Sequence, residues 1–232
     1  MSDSITIRYT FTHNGHVRVY DVELDANTLA HRFTPPATPQ AWTKLEFEQC
    51  KGCPLNAAEH PHCPLALSLE HLVKSCGPLL SFEELEARVD TPDRTIIKRT
   101  TAQKALSSLL GLQMATSGCP NMQFLRPMAR FHTAFASRQE TMYRSASTYL
   151  LGQYFLWHQG KRADLDLAGL ERAYSKIHAV NVGIARRMRS IAQGDANLNA
   201  LVLLDLFAQQ MPSAISERLN EIEYLFASYF ED

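Results

Sequence analysis

Four of the five cysteines in this chain restrict how it can fold, because their spacing is typical of a metal centre. Cys50 and Cys53 form a Cys-x-x-Cys pair, Cys63 follows closely, and Cys119 lies far downstream. Such a pair with two further thiols completes the ligand set of tetrahedral zinc or of an iron–sulfur cluster. The spacing therefore predicts that an N-terminal cysteine knuckle is joined to a distant part of the chain.

The fourth ligand has to be chosen between Cys76 and Cys119. If residues 64–76 are helical, Cys76 lies roughly 20 Å from Cys63, because a helix rises 1.5 Å per residue. Two sulfurs on one zinc ion are only about 4 Å apart, since Zn–S bonds are near 2.3 Å. We therefore expect Cys76 to be an apolar core thiol and Cys119 to be the fourth ligand.

The residues beside the cysteines bear on the identity of the metal. Proline follows Cys53, Cys63 and Cys119, as it follows the last cysteine of the bacterial ferredoxin run, and this favours a [4Fe–4S] cluster over Zn²⁺. His60 and His62 are rival ligands, because imidazole also binds zinc. Four cysteine ligands leave no open coordination position, so Lewis-acid catalysis is not expected, and the sequence leaves open whether the protein is an enzyme.

The N-terminal part of the chain predicts two β-hairpins. Apolar and polar residues alternate strictly along residues 5–12, which indicates a strand with one buried face. Asn14-Gly15 favours a type I′ turn into a return strand near 17–24. That return strand changes its alternation partway along, which suggests a bulge or an exposed apolar residue. A second hairpin is predicted to join residues 86–90 to 95–100.

The rest of the chain has helical patterns and predicts a bundle of four or five helices. A separate helix is expected from Pro64 to a stop at Gly77-Pro78. The bundle helices are expected over 102–117, from the capping box Ser137-x-x-Glu140, from the cap Asp166 to a stop at Gly194 as a long helix, over 197–210 as a buried central helix, and from the cap Ser213 as the last helix. We expect an α+β fold with a single domain over 1–232, in which residues 1–100 hold the hairpins and the knuckle and residues 101–232 hold the bundle.

Composition excludes several classes of function. The net charge of −1 and the pI near 6.8 give no overall attraction to nucleic acid or to an anionic membrane. The basic run at 186–189 is expected to be a solvated helix face. No signal peptide or apolar span of about 20 residues is visible, so we expect a cytoplasmic protein whose thiols stay reduced. Its partner is then an unknown protein or a redox partner.

Two other groups of polar residues are weaker candidates for a site. Arg126, Arg130 and His132 follow Cys119, and they are candidates to line a pocket near a cluster. The plainer interpretation is an amphipathic helix with solvated arginines. His178 and Asn181 lie beside the apolar face of the long helix, where we expect buried, hydrogen-bonded polar side chains.

Several motifs together resemble those of an uncharacterised bacterial family, a domain of unknown function. The motifs are Leu45-Glu-Phe-x-Gln-Cys50-x-x-Cys-Pro-Leu55, His60-Pro-x-Cys63-Pro, Ala115-Thr-Ser-Gly-Cys119-Pro, Leu125-Arg-Pro-Met128 and Leu198-Asn-Ala-Leu201. The resemblance implies one cytoplasmic domain with a metal centre, and it supplies no activity.

Three hypotheses for the function follow. The first is a cytoplasmic metalloprotein in which Cys50, Cys53, Cys63 and Cys119 hold a [4Fe–4S] cluster for electron transfer or redox sensing. The second is a structural Zn(Cys)₄ protein that acts as an interaction or regulatory module. The third, ranked lowest, is a thiol- or haem-responsive enzyme or sensor.

Overall fold

The computed structural model of the chain describes residues 3–76, 79–191, 194–217 and 219–231. Within these ranges the protein combines one four-stranded antiparallel sheet with seven α-helices, so the predicted α+β fold is confirmed. The strands are β1 (Ser4–His13), β2 (His16–Asp25), β3 (Glu84–Asp90) and β4 (Thr95–Thr101), arranged in the order β2-β1-β3-β4. Both predicted hairpins are present.

The first hairpin shows how the sequence pattern sets the buried face. Asn14 and Gly15 have φ values of 48° and 77°, as a type I′ turn requires. The pairing of β1 with β2 runs without interruption from one end to the other. The change of alternation in β2 therefore reflects exposed apolar side chains and not a bulge: Val17 and Val19 are 60% and 50% exposed, whereas Tyr20 is buried.

The helices extend from the knuckle to the C-terminal region. They are α1 (Pro64–Cys76), α2 (Ala102–Thr116), α3 (Arg126–Arg130), α4 (Arg138–His158), α5 (Ala168–Arg189), α6 (Ala196–Ser216) and α7 (Asn220–Glu223). Short 3₁₀ segments lie at Ala41–Thr43, Pro120–Leu125 and Tyr224–Tyr229. Helix α6 packs against both α5 and α2, and strands and helices contribute to one hydrophobic core. In the described ranges, no helix has the length and apolar character needed to cross a membrane.

Two helix starts follow local sequence signals. Pro64 occupies the first position of α1, where the N–H that proline lacks would have had no helical partner. At α4 the Ser137 hydroxyl accepts from the Glu140 N–H at 3.2 Å, and the Ser137 N–H donates to the Glu140 carboxylate at 2.6 Å. The predicted capping box is therefore confirmed. The predicted stop of α1 at Gly77-Pro78 lies outside the described residues.

The predicted limits of α5 were wrong at both ends. Asp166 does not cap the helix, because Leu167 occupies the N-cap position in a left-handed conformation. Asp164 provides the cap instead, since its Oδ2 accepts the Gly169 N–H at 2.6 Å and the Tyr149 hydroxyl at 2.8 Å. The helix ends at Arg189, well before Gly194.

Helix α6 is longer and more exposed than expected. It continues through Pro212 to Ser216, so Ser213 lies inside it and caps no later helix. Val202 and Leu206 are 42% and 47% exposed, so α6 is not the buried centre of a bundle. An apolar run without clear periodicity predicts burial on all sides, whereas α6 has only one face covered.

Candidate metal centre

The knuckle begins with a tight turn between its first two cysteines. The Cys53 N–H donates to the Cys50 carbonyl at 3.1 Å, which closes the turn. Gly52 within it has a φ of 73°, a region that L side chains rarely adopt. The base of the knuckle is fixed by a bond of 2.8 Å from the Cys63 N–H to the Thr43 carbonyl. The backbone therefore brings Cys50 and Cys53 together and anchors the segment that carries Cys63.

Cys63 lies at the start of α1, directly before Pro64. Burial raises the pKa of the Cys63 thiol, while the Ala66 and Leu65 N–H groups act in the opposite direction. The unpaired N–H groups of a helix start favour negative charge, so this position suits a thiolate. The turn that begins α1 thus supplies donors to the third cysteine.

Cys119 reaches the same region from the end of α2. Gly118 has a φ of 89°, and a Cβ placed on it would lie 3.7 Å from Cβ of Pro64. The Asn121 side chain is 3.5 Å from the Gly52 carbonyl. These two contacts place the segment around Cys119 against both ends of the knuckle.

The four thiols interact electrostatically with one another. Burial raises the pKa of Cys119 to about 12, and the charges of Cys63, Cys50 and Cys53 contribute in the same direction. Burial likewise raises the pKa of Cys50 to about 11, with further contributions from Cys63 and Cys53. Since such interactions weaken with distance, Cys50, Cys53 and Cys63 lie near enough to Cys119 to affect its pKa.

The grouping of the sulfurs is not a finished coordination site. Among the described residues, no group of three or more His, Cys, Asp or Glu side chains is arranged to hold a metal ion. The assignment of Cys50, Cys53, Cys63 and Cys119 as ligands therefore stays a prediction.

The alternative ligands Cys76, His60 and His62 have different surroundings. Cys76 is fully buried, and its sulfur lies 2.8 Å from the Tyr20 hydroxyl. The His62 ring pairs through Nδ1 with the Thr43 hydroxyl at 2.8 Å, and His60 is exposed. Cys76 is therefore a core residue packed behind the sheet.

Arg187 is the residue of this region that sequence reasoning missed. The run 186–189 was expected to be solvated, and for Arg187 this is wrong, because only 1% of it is exposed. Its guanidinium donates to the carbonyls of Trp42, Lys44 and Leu45 at 2.5, 2.7 and 2.8 Å. Its charge also lowers the pKa values of Cys50 and Cys63, against the larger effect of burial.

Helix α5 forms the wall behind Cys50. The Cys50 sulfur lies 3.9 Å from the Val180 carbonyl. A Cβ placed on Gly183 would lie 2.5 Å from the same sulfur, closer than real Cβ contacts come. Glycine at 183 is therefore what allows the knuckle to approach the helix.

The weaker candidates are dispersed. Nε2 of His132 lies 2.6 Å from the Tyr9 hydroxyl, and burial lowers the pKa of His132 to about 3, so the ring is neutral. Nδ1 of His178 lies 2.8 Å from Oδ1 of Asp205, which also accepts from Asn181 at 3.2 Å. Asn181 is thus buried and hydrogen-bonded, as expected, while His178 is 42% exposed.

Comparison with known proteins gives one match. A family model described as a domain of unknown function, DUF6901, matches residues 5–227. No curated protein and no solved structure matches the chain. The resemblance to an uncharacterised domain family is confirmed, while the cysteine pattern attributed to that family stays a prediction.

Proposed function

Because this chain belongs to the domain-of-unknown-function family DUF6901, its function has to be inferred from its own residues, and we propose that it is an iron–sulfur protein. Cys50, Cys53, Cys63 and Cys119 hold a [4Fe–4S] cluster that serves electron transfer or redox sensing. The observation that carries the proposal is the convergence of the segments that bear these cysteines: the Cys50–Cys53 turn, Cys63 anchored to Thr43, and the segment around Cys119, which contacts Gly52, all beside the buried cation of Arg187.

The donors around the sulfurs suit a cluster. The Leu65 and Ala66 N–H groups act on the Cys63 sulfur, and the Asn121 N–H acts on the Cys119 sulfur. Hydrogen bonds to the sulfurs and burial are the terms by which a protein sets the potential of a cluster. When bound, the cluster would supply reversible one-electron transfer, and these N–H groups would stabilise its more negative state.

Arg187 fits a negatively charged group at this position. A cluster with four thiolates has a net negative charge, and a buried charge needs a partner. The Nε atom of Arg187 is buried and has no hydrogen-bond acceptor. Buried donors in proteins nearly always have an acceptor. Because the charge of Arg187 already acts on Cys50 and Cys63, a sulfur of the cluster would be a suitable acceptor for this Nε–H.

Unequal exposure of the thiols supports a route for electrons. Cys63 and Cys119 are 7% and 8% exposed, whereas Cys50 and Cys53 are only partly buried. A redox partner would therefore dock at the knuckle, on the side of Cys50 and Cys53. We place the protein in the cytoplasm, where thiols stay reduced and free to bind iron. Its near-neutral charge favours a protein partner over nucleic acid.

A structural zinc site is the second candidate, and one observation favours it. Apart from one isolated bridge between Lys44 and His62, the described knuckle residues 44–63 form no helix or strand. A short segment of this kind gains stability when a metal joins it to the rest of the fold. In this case Zn²⁺ would fix the knuckle against α1, and the protein would act by binding a partner protein through its surface.

Metal analysis separates the two candidates. We would purify the full chain without oxygen, record the visible spectrum, and measure iron, sulfide and zinc on the same sample. A brown protein with a broad band near 400 nm and roughly four iron and four sulfide per chain supports the cluster. A colourless protein with one zinc per chain supports the structural site, and a protein with neither metal refutes both.

Two cysteine variants test the ligand choice. Cys119→Ser is expected to lose the metal, because it removes one of four ligands. Cys76→Ser is the matched control, since Cys76 packs against Tyr20 in the core, and it should keep the metal. Circular dichroism on both variants establishes that they are folded. Full metal content in folded Cys119→Ser would show that Cys119 is not a ligand.

A further inference from the structure

A cavity of about 750 Å³ lies between β4, α2, α3, α4, α5 and α6. Sites for small molecules in proteins have volumes of roughly 300–1,000 Å³. Most of the wall is apolar, with contributions from Leu112, Met122, Leu125, Ile177, Leu204 and Phe207. None of the four cysteines is among the described residues that line the cavity, so its ligand does not depend on the metal.

The charges around this cavity are predominantly positive. Its lining contains Lys98, Lys104, Arg138 and Arg144, against the single carboxylate of Glu140. Glu140 already accepts from the N–H at the start of α4, and Lys98 and Arg144 contribute to lowering its pKa.

Three of these cations have further contacts, and Nζ of Lys98 lies 5.9 Å from the centre of the Phe135 ring. Arg138 pairs with Glu221 at 2.7 Å. Arg144 donates to the carbonyls of Met128 and Phe131 and is half-buried, and this burial lowers its pKa. Lys98 and Lys104 are exposed at the rim. The cavity therefore has an apolar body and a rim with excess positive charge, which favours a ligand with one negative end.

A buried polar atom gives independent evidence for a ligand. Asn181 lines the cavity and is only 1% exposed. Its amide N–H₂ donates to Asp205 at 3.2 Å, which fixes the orientation of the amide, while its Oδ1 has no partner. A buried acceptor without a donor costs about 1–3 kcal/mol. A ligand with a hydroxyl or amide N–H would satisfy it.

From these features we propose that the cavity binds a small organic acid with an apolar chain. The carboxylate pairs with Lys98 and Lys104 at the rim, the chain lies against the apolar wall, and a donor group on natural ligands reaches Asn181. His132, which also lines the cavity, is neutral and adds no charge to it.

Calorimetric titration with matched eight-carbon probes tests the charge preference. Octanoate carries the carboxylate, 1-octanol has the same chain without charge, and octyltrimethylammonium has the opposite charge. We expect octanoate to bind at least roughly tenfold more tightly than 1-octanol, a difference of about 1.4 kcal/mol, and the cation not to bind. Equal affinity for acid and alcohol, or no binding of octanoate, would overturn the proposal.

Variants locate the binding. Lys98→Gln with Lys104→Gln should weaken octanoate roughly tenfold and leave 1-octanol unchanged, because both lysines are exposed and only their charge is removed. Lys74→Gln, on the exposed face of α1, is the control and should change neither. Ala136→Trp fills the lining and should abolish binding of both probes. Unaltered octanoate binding in Ala136→Trp would place the ligand elsewhere and refute the assignment.

Discussion

Replacement of Arg187 by methionine tests whether this one side chain holds the knuckle on α5. Methionine keeps a similar apolar volume but removes three donors from the carbonyls of Trp42, Lys44 and Leu45. Hydrogen bonds to charged groups contribute about 1.5–3 kcal/mol each, but their effects are not additive. Each buried carbonyl that is left without a donor costs about 1–3 kcal/mol. We therefore expect Arg187→Met to lower the free energy of unfolding by about 4 kcal/mol.

The assay is urea unfolding followed by circular dichroism, with metal content measured on each sample. Arg187→Lys should recover only part of the lost unfolding free energy. The ammonium group restores the positive charge, but it cannot donate to three carbonyls as the planar guanidinium does. The control is Arg186→Met, because Arg186 is 58% exposed and its ion pair with Glu48 is long, at 3.7 Å. This variant should lower the free energy of unfolding by less than about 0.5 kcal/mol. A cost below about 1 kcal/mol for Arg187→Met would refute the reasoning.

Two further predictions follow from the same region and from the sheet. Gly183→Ala should reduce metal content, because the new Cβ would lie 2.5 Å from the Cys50 sulfur. The control is Gly152→Ala in α4, where a Cβ meets nothing within 4 Å, and this variant should keep its metal content. Equal metal content in the two variants would contradict this packing. The pKa of His132 is lowered to about 3 in the folded protein, where its neutral ring lies beside Tyr9, whereas the pKa of histidine in the unfolded chain is near 6.5. The unfolded state therefore binds a proton more readily, so this stabilisation is present above about pH 6.5 and is lost as the pH falls towards 3. His132→Gln should therefore show a smaller loss of unfolding free energy between pH 7 and pH 4 than the unmodified chain, measured by urea titration at each pH, and an identical pH dependence would contradict it.

Local signals were sufficient where the structure depends on neighbouring residues. Asn14-Gly15 produced its turn, Pro64 began its helix, and Ser137 formed its capping box with Glu140. In each case the backbone groups to be satisfied lie within a few residues, so the sequence alone defines them.

Predictions failed where tertiary contacts decide between similar local choices. Asp164 and Asp166 are both possible caps for α5, and the contact of Asp164 with Tyr149 on α4 favours the first. Burial of Arg187 also depends on a distant segment. The sequence did contain a signal for this burial, because position 187 follows Val180 and Ile184 at helical spacing on the apolar face of α5. The neighbouring basic residues favoured the opposite prediction, since a basic run is usually solvated.

The wall that α5 forms behind the knuckle has a consequence for synthesis of the protein. Cys50 and its contact at Val180 are separated by 130 positions in the chain. At translation rates of about 5–20 residues per second, roughly 7–26 s pass between the appearance of the two. During that interval the thiols at the knuckle lack the helix that later covers Cys50. The nascent chain therefore depends on its surroundings to keep these thiols reduced until α5 has been made.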